Sequence, residues 1–373
     1  MTLLSLTVFA WFAATVVCAW TLPRKWQPFT IAFSTVMFLS FYSPLSLFIL
    51  TGTSFFVFFL LKKNRTNSAV VILCIGVVGA LFAWFKIDSL SAAHTNGGSH
   101  IMPLGISYYS CRQIHYIFET YKQKLEGHAF SDYLCYLFFL PTIHVGPIHR
   151  FPEFLRDLRR RRWDAYNLSA GLERVLYGYA KIVILGNYLI SGKFNHAISG
   201  FEVSRPIVSE YLKSVSYWMN LYFQFSGYSD IAIGFSLMTG FHVMENFNYP
   251  FLAKNILEFW QRWHISLTSW CKDYVYLPVA SLTRRPLVSL FVALIILGLW
   301  HEFSGRYVLW GIYHALGIAV WHAFQSFKKR LPAWENRWGK LSLRYASSFL
   351  TFNFVMGSFV VSNHAYRKLL AFF

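Results

Sequence analysis

Charged side chains are scarce in this chain of 373 residues, where Asp, Glu, Lys and Arg together make up only 13%. A soluble domain has about 25%, so the composition argues against a soluble globular protein. Hydrophobic residues reach 55% and aromatic residues 20%. These proportions predict a polytopic membrane protein in contact with the lipid bilayer. No Pro/Gly/Ser-rich or acidic linker divides the chain, and we therefore expect one integral domain over 1–373.

Acidic residues are rarer than basic ones. The chain has 16 Asp and Glu and 34 Lys and Arg, which gives a net charge of +18. The basic residues form short clusters beside apolar runs. This pattern is typical of cytoplasmic loops under the positive-inside rule and excludes a long nucleic-acid-binding surface. The clusters include Lys62–Arg65, Arg159–Arg162, Arg284–Arg285 and Lys328–Arg330.

Cysteine is also sparse, and its five copies are scattered without a CxxC pair or a zinc-like spacing with histidine. The sequence has no glycine-rich phosphate loop, no HExxH and no GxSxG. We therefore expect no disulfide framework, no metal site and no bound cofactor.

Long apolar runs predict an all-α membrane fold. The run 27–61 contains Pro44 and should hold two segments, whereas Pro141, Gly146 and Pro147 should interrupt 130–149 as a re-entrant element. The stretch 246–278 has helical periodicity and should lie along an interface. The other predicted runs are 1–22, 68–85, 101–119, 170–190, 208–225, 228–243, 286–303, 305–325 and 345–362.

Two histidines stand in tryptophan-rich apolar surroundings, His264 after Trp263 and His301 after Trp300. A neutral imidazole can act as a general base near pH 7. The alternatives stay open: His301 can be hydrogen-bonded for helix packing, and His264 can face lipid headgroups. Cys271 lies on the same helical face as His264, but two turns separate them, about 10.5 Å. This argues against a Cys–His nucleophile pair, which needs hydrogen-bond reach.

Six blocks between about 100 and 320 resemble the membrane-bound O-acyltransferase family, in the bacterial branch that includes alginate O-acetylases and the D-alanyl transfer protein of teichoic acid modification. The blocks are Pro103–Tyr108, Gly146–Phe151, Phe225–Gly234, Asn246–Phe251, Phe259–Leu267, and Leu299–His301 with Leu309–His314. The chain departs from the family at Glu302, where glycine is usual, and it has no glycine-asparagine-arginine segment after Pro278.

The resemblance implies a ring of about ten transmembrane helices, with re-entrant and interfacial helices, around a central tunnel. It implies that His301 and His264 are the catalytic pair. We expect further tunnel residues to bind substrate. These are Trp260, Trp263, Asn246, Asp273, Tyr274 and Trp300.

The resemblance also predicts an O-acyltransferase in the bacterial cytoplasmic (inner) membrane. It would pass an acyl group, in the first place acetyl, from a cytoplasmic thioester (acetyl-CoA or an acyl carrier protein) to a hydroxyl of an extracytoplasmic polysaccharide. The acceptor can also be a periplasmic or membrane-anchored acyltransferase partner. D-Alanyl transfer from a carrier protein is the alternative within enzymes. A transporter or flippase with proton-relaying histidines is the alternative of another class.

Overall fold

The computed structural model describes residues 5–94, 102–125, 127–200, 204–328 and 337–362. Helices account for all regular structure in these ranges, and the sole β-type pairing within them is an isolated bridge between Phe247 and Trp263. An all-helical backbone satisfies its own N–H and C=O groups, as a chain in lipid requires. The predicted all-α class is confirmed.

The chain folds into two compact units. The first comprises 1–180 with 227–244, and the second comprises 181–226 with 245–373. The expectations of one integral domain and of a ring around a tunnel stay predictions. The first unit contains α1 (Leu6–Thr21), α2 (Gln27–Tyr42), α3 (Pro44–Asn64), α4 (Ser68–His94), α5 (Ile106–Tyr121), α6 (Phe130–Leu137), α7 (Phe151–Arg160) and α8 (Ala165–Ala180).

The predicted break in the run 27–61 is confirmed at Ser43, where α2 ends and Pro44 opens α3. Proline is tolerated in the first turn of a helix because its missing N–H has no partner there in any case. Lys62 and Lys63 lie in the last turn of α3, next to the negative end of the helix dipole.

The predicted interruption of 130–149 is also confirmed. Helix α6 ends at Leu137, and a single 3₁₀ turn, Leu140–Thr142, precedes an irregular segment. This segment is buried, and the Tyr136 hydroxyl donates to the carbonyl of His149 over 2.9 Å. Irregular backbone at membrane depth is tolerated where protein buries it. Its re-entrant course stays a prediction.

The second unit contains the remaining helices and two π-helical segments, Lys181–Phe194 and Lys272–Tyr276. Helices α14 (Pro286–His301) and α15 (Gly305–Lys328) form a closely packed hairpin, since a Cβ at Gly311 would lie 2.5 Å from the carbonyl oxygen of Leu294. Helix α10 (Pro206–Met238) begins in this unit and ends in the first. The helices are α9 (Asn195–Ser199), α10 (Pro206–Met238), α11 (Ile256–Arg262), α12 (Ile265–Cys271), α13 (Leu277–Thr283), α14 (Pro286–His301), α15 (Gly305–Lys328) and α16 (Arg337–Ser362).

Two sequence expectations are wrong. The runs 208–225 and 228–243 belong to one helix, α10, of 33 residues. Gly227 does not break it, because a single glycine costs only about 1 kcal/mol in a helix. The stretch 246–278 is not one amphipathic helix either, since α11 ends at Arg262 and α12 begins at Ile265.

Four described helices are long and apolar enough to cross a membrane: Pro44–Asn64, Ser68–Asp88, Ala165–Ser199 and Gly305–Lys328. Leu6–Thr21 and Pro286–His301 are shorter apolar helices. The protein is thus a multi-pass membrane protein. The predicted number of about ten spans is not reached by length and hydropathy in the described residues, where several other apolar helices, such as α1 and α14, have only 16 residues.

Candidate active site

His264 lies in the two-residue junction between α11 and α12. Its backbone is left-handed, with φ 43° and ψ 53°, a conformation uncommon outside glycine that Asn, Asp and His adopt more readily than other residues. Asn246 holds this turn from a distant part of the chain. The Ser266 hydroxyl donates to the Asn246 side-chain oxygen over 2.6 Å, and the Ile265 N–H donates to the Asn246 carbonyl over 2.9 Å. Asn246 thus bonds the two residues that follow His264 and holds the turn in which His264 lies.

The His264 side chain is buried, with 2% of its surface exposed. Phe225 packs edge-on at 4.6 Å and Trp300 at 5.7 Å between ring centroids. Neither ring nitrogen has a hydrogen-bond partner among the described residues. Burial lowers the pKa of His264 well below 6.5, and the nearby His301 lowers it further. Burial therefore favours the neutral form of the His264 imidazole.

His301 is the last residue of α14 and is half-buried. Its ring lies 5.0 Å from Trp300, 5.9 Å from Tyr307 in a stacked arrangement, and 5.8 Å from Trp310. Trp300 contacts both histidines, so residues 37 positions apart in the sequence meet at one indole. The structure thereby brings together His264, Trp300 and His301, all three of which the sequence singled out.

Glu302, which departs from the family pattern, follows His301 directly and caps α14 in an extended conformation. Its carboxylate is bound by Arg306 through two hydrogen bonds, one from Nε over 2.8 Å and one from Nη2. A fork-shaped pair of this kind has favourable geometry. The negative charge beside His301 is therefore neutralised by an arginine one helical turn away.

His314, on α15, is a further buried histidine of the second unit. Its ring lies 4.6 Å from Trp310 and 5.1 Å from Trp260. Both His314 nitrogens and the Trp260 indole N–H lack a hydrogen-bond partner among the described residues. Trp310 contacts His301 as well, so the aromatic cluster extends from His264 to His314. The spacing Trp310–His314 was the available signal, but i, i+4 aromatic pairs are common in helix packing.

The other predicted tunnel residues, Trp263, Asp273 and Tyr274, also belong to the second unit. Trp263 packs on Phe247 and Phe259. Tyr274 is buried against Trp270 at 5.6 Å, and Asp273 lies with it in the short π-helix. π-Helical turns occur frequently at functional sites.

Comparison of the sequence with known proteins places the chain in a family. The family model for the membrane-bound O-acyltransferase family matches residues 2–338. A probable alginate O-acetylase of Pseudomonas aeruginosa is 34% identical over 275 residues, 69% of this chain and 52% of that protein. The chain thus spans about half the length of that alginate O-acetylase.

Two relatives named for other activities also match. A teichoic acid D-alanyltransferase of Bacillus subtilis is 30% identical, with 81% of this chain and 80% of that protein covered. A peptidoglycan O-acetyltransferase of Helicobacter pylori is 28% identical, with 89% and 69% covered. Since the family model covers most of the sequence, the chain belongs to the membrane-bound O-acyltransferase family.

Proposed function

We propose that this chain is a membrane O-acyltransferase that moves an acetyl group from a cytoplasmic thioester across the membrane to a hydroxyl acceptor. The observation that carries the proposal is the meeting of His264 and His301 on Trp300. A thioester is already activated, so catalysis needs chiefly proximity and a base. Relatives named for alginate and peptidoglycan O-acetylation support a glycan hydroxyl as the acceptor.

His301 is the proposed general base. It takes the proton of the acceptor hydroxyl while the oxygen attacks the thioester carbonyl; the C–S bond breaks and the departing thiolate takes up a proton. The position of His301 at the C-terminus of α14 supports this role. The negative end of the helix dipole stabilises the imidazolium that forms.

His264 is the proposed positioning group. Its neutral ring can hydrogen-bond the acceptor hydroxyl or polarise the thioester carbonyl, and its burial keeps it in the neutral form. The tryptophans around the two histidines exclude water that would otherwise hydrolyse the donor. Trp300 and Trp260 are the proposed walls of this site.

We place the enzyme in the bacterial cytoplasmic (inner) membrane, with acetyl-CoA or an acyl carrier protein as donor. A periplasmic or membrane-anchored acyltransferase is the proposed partner where the acceptor is a protein. D-Alanyl transfer is the second candidate, and the 80% coverage of the teichoic acid D-alanyltransferase supports it.

His301→Gln provides the test. Glutamine can keep one hydrogen bond but cannot take the proton, so transfer from labelled acetyl-CoA should fall roughly 10²–10⁴-fold. The variant should insert and elute from size exclusion as the wild type does. Carrier-bound D-alanine assayed in parallel separates the two donors. Near-normal turnover in His301→Gln, with protein lost in His301→Ala, would make His301 structural and overturn the proposal.

A further inference from the structure

A polar stripe runs along the part of α10 that belongs to the second unit. Lys213, Tyr217, Asn220 and Gln224 follow one another at intervals of four, three and four residues. These intervals place the four side chains on one face of the helix. Amides and hydroxyls are expensive beside hydrocarbon and mark functional paths in membrane proteins.

The stripe meets the long π-helical segment Lys181–Phe194, part of the candidate span Ala165–Ser199. Gln224 donates to the Asn187 side-chain oxygen over 2.6 Å. A Cβ at Gly186 would lie 2.7 Å from the Gln224 amide nitrogen, so a larger residue there would displace the Gln224 amide. π-Helical geometry is rare and occurs frequently at functional sites.

At one end of this contact the structure opens a cleft of about 390 Å³. Small-molecule sites have volumes of about 300–1,000 Å³. Within the cleft, the Ser216 hydroxyl donates to the Asn195 side-chain oxygen over 2.5 Å. The cleft is lined by Asn195, Ile198, Lys213, Ser216, Tyr217 and Asn220.

The chemistry of the lining defines the class of ligand. Asparagine amides and the serine and tyrosine hydroxyls both donate and accept hydrogen bonds, which matches the hydroxyl groups of a sugar. The one cation of the lining, Lys213, forms an ion pair with Glu210 over 3.2 Å. The cleft therefore favours an uncharged polyol surface over a carboxylate or a phosphate.

The helix that carries the cleft residues also contacts the proposed active site. Phe225, which follows Gln224 of the polar stripe, packs edge-on against His264 at 4.6 Å between ring centroids. Trp218, which follows Tyr217, packs on Trp263 at 5.2 Å, and Trp263 directly precedes His264. The cleft and the proposed catalytic pair therefore lie along the same helix, α10.

We propose that this cleft is the acceptor subsite, which binds the hydroxyl groups of a sugar chain and presents one of them to His301. The assignment rests on the proposed function and adds the residues that recognise the acceptor. Asn220 and Ser216 hydrogen-bond the sugar, and Tyr217 packs against its ring.

Kinetics on the full-length protein in detergent test the subsite, with acetyl-CoA as donor and two acceptor probes, unacetylated alginate tetrasaccharide and neutral cellotetraose. Asn220→Ala and Ser216→Ala should each raise KM for both oligosaccharides roughly threefold to tenfold, the loss of one neutral hydrogen bond. The KM for acetyl-CoA should stay at the wild-type value, because the cleft is proposed to bind only the acceptor.

Asn353→Ala is the matched control, because this asparagine bonds Tyr211 over 2.8 Å and does not line the cleft. It should keep the wild-type KM for both probes. Thermal-shift titration of each variant with the oligosaccharides reports binding independently of turnover.

The possible outcomes separate the two proposals. If Asn220→Ala and Ser216→Ala keep the wild-type KM for the acceptor, the proposed subsite is wrong. The proposed role of His301 as the general base is not affected by that result. Wild-type protein that neither acetylates nor binds either oligosaccharide overturns the subsite too. Recognition of the alginate probe alone, lost in Lys213→Gln, overturns the polyol class in favour of a carboxylate site. Retained transfer in His301→Gln overturns the proposed function instead.

Discussion

The ion pair between Glu302 and Arg306, beside His301, leads us to predict how the transfer rate depends on pH. Glu302 carries a negative charge one residue from the proposed base, and Arg306 neutralises it. In Arg306→Gln the uncompensated carboxylate stabilises the protonated imidazole. The base is then occupied by a proton up to a higher pH, and the acidic limb of the pH–rate profile should move to higher pH. Transfer rates from about pH 5.5 to 9 measure the shift.

The double variant Glu302→Gln with Arg306→Gln removes both charges and is the control. It should return the acidic limb to the wild-type position. A profile for Arg306→Gln that coincides with the wild type would show that Glu302 has no electrostatic influence on the rate.

From the burial of His264 we predict how the stability of the protein depends on pH. Because burial holds the pKa of His264 in the folded state well below 6.5, the unfolded chain binds a proton there more readily than the folded one. Stability should therefore fall as the pH drops below about 6.5. In His264→Asn, which tolerates the left-handed backbone, part of this loss should disappear. Melting temperatures of both proteins at pH 7.5 and pH 5 give the comparison.

The wild type and the variant share every other buried histidine, so the difference between their two pH-induced shifts isolates His264. Equal shifts in the two proteins would mean that His264 is not held neutral in the folded state.

At the scale of elements, the α14–α15 hairpin depends on glycine where the helices approach. A Cβ at Gly298 would collide with the carbonyl oxygen of Tyr307. Gly298→Ala should therefore force the helices apart and destabilise the protein by about 1–3 kcal/mol. It should also reduce transfer, because Tyr307 stacks on His301. Thermal unfolding and acetyl transfer report the two effects.

Gly305→Ala offers a matched control, since a Cβ there meets nothing within 4 Å. Alanine is the better helix former, so this variant should be as stable as the wild type or slightly more stable. Equal behaviour of the two variants would mean that the hairpin does not depend on close approach at Gly298.

At the scale of the whole molecule, the basic clusters predict topology. Lys62–Arg65, Arg159–Arg162, Arg284–Arg285 and Lys328–Arg330 should all be cytoplasmic by the positive-inside rule. Single cysteines placed in each cluster of a cysteine-free variant should react with an impermeant maleimide only after the cells are opened. Labelling of the 159–162 cluster in intact cells would contradict this arrangement.

The sequence by itself determined the class of the protein and much of its local structure. Scarce charge and long apolar runs required an all-helical membrane chain, and Pro44 and Pro141 marked breaks that the structure confirms. These features follow from local composition and backbone sterics. The two histidines were identifiable because ionisable groups in apolar surroundings are expensive.

Tertiary structure decided what surrounds those histidines. The left-handed turn at His264 depends on Asn246, and Trp300 joins His264 to His301 across 37 residues. Helical periodicity across 246–278 predicted a single helix, whereas the structure has a break between α11 and α12. Periodicity shows which residues share a helical face. It does not show a turn that Asn246 stabilises through hydrogen bonds. The polar cleft on α10 likewise arises from packing between α10 and the residues that precede it, Asn195 and Ile198, which the order of residues along the chain does not specify.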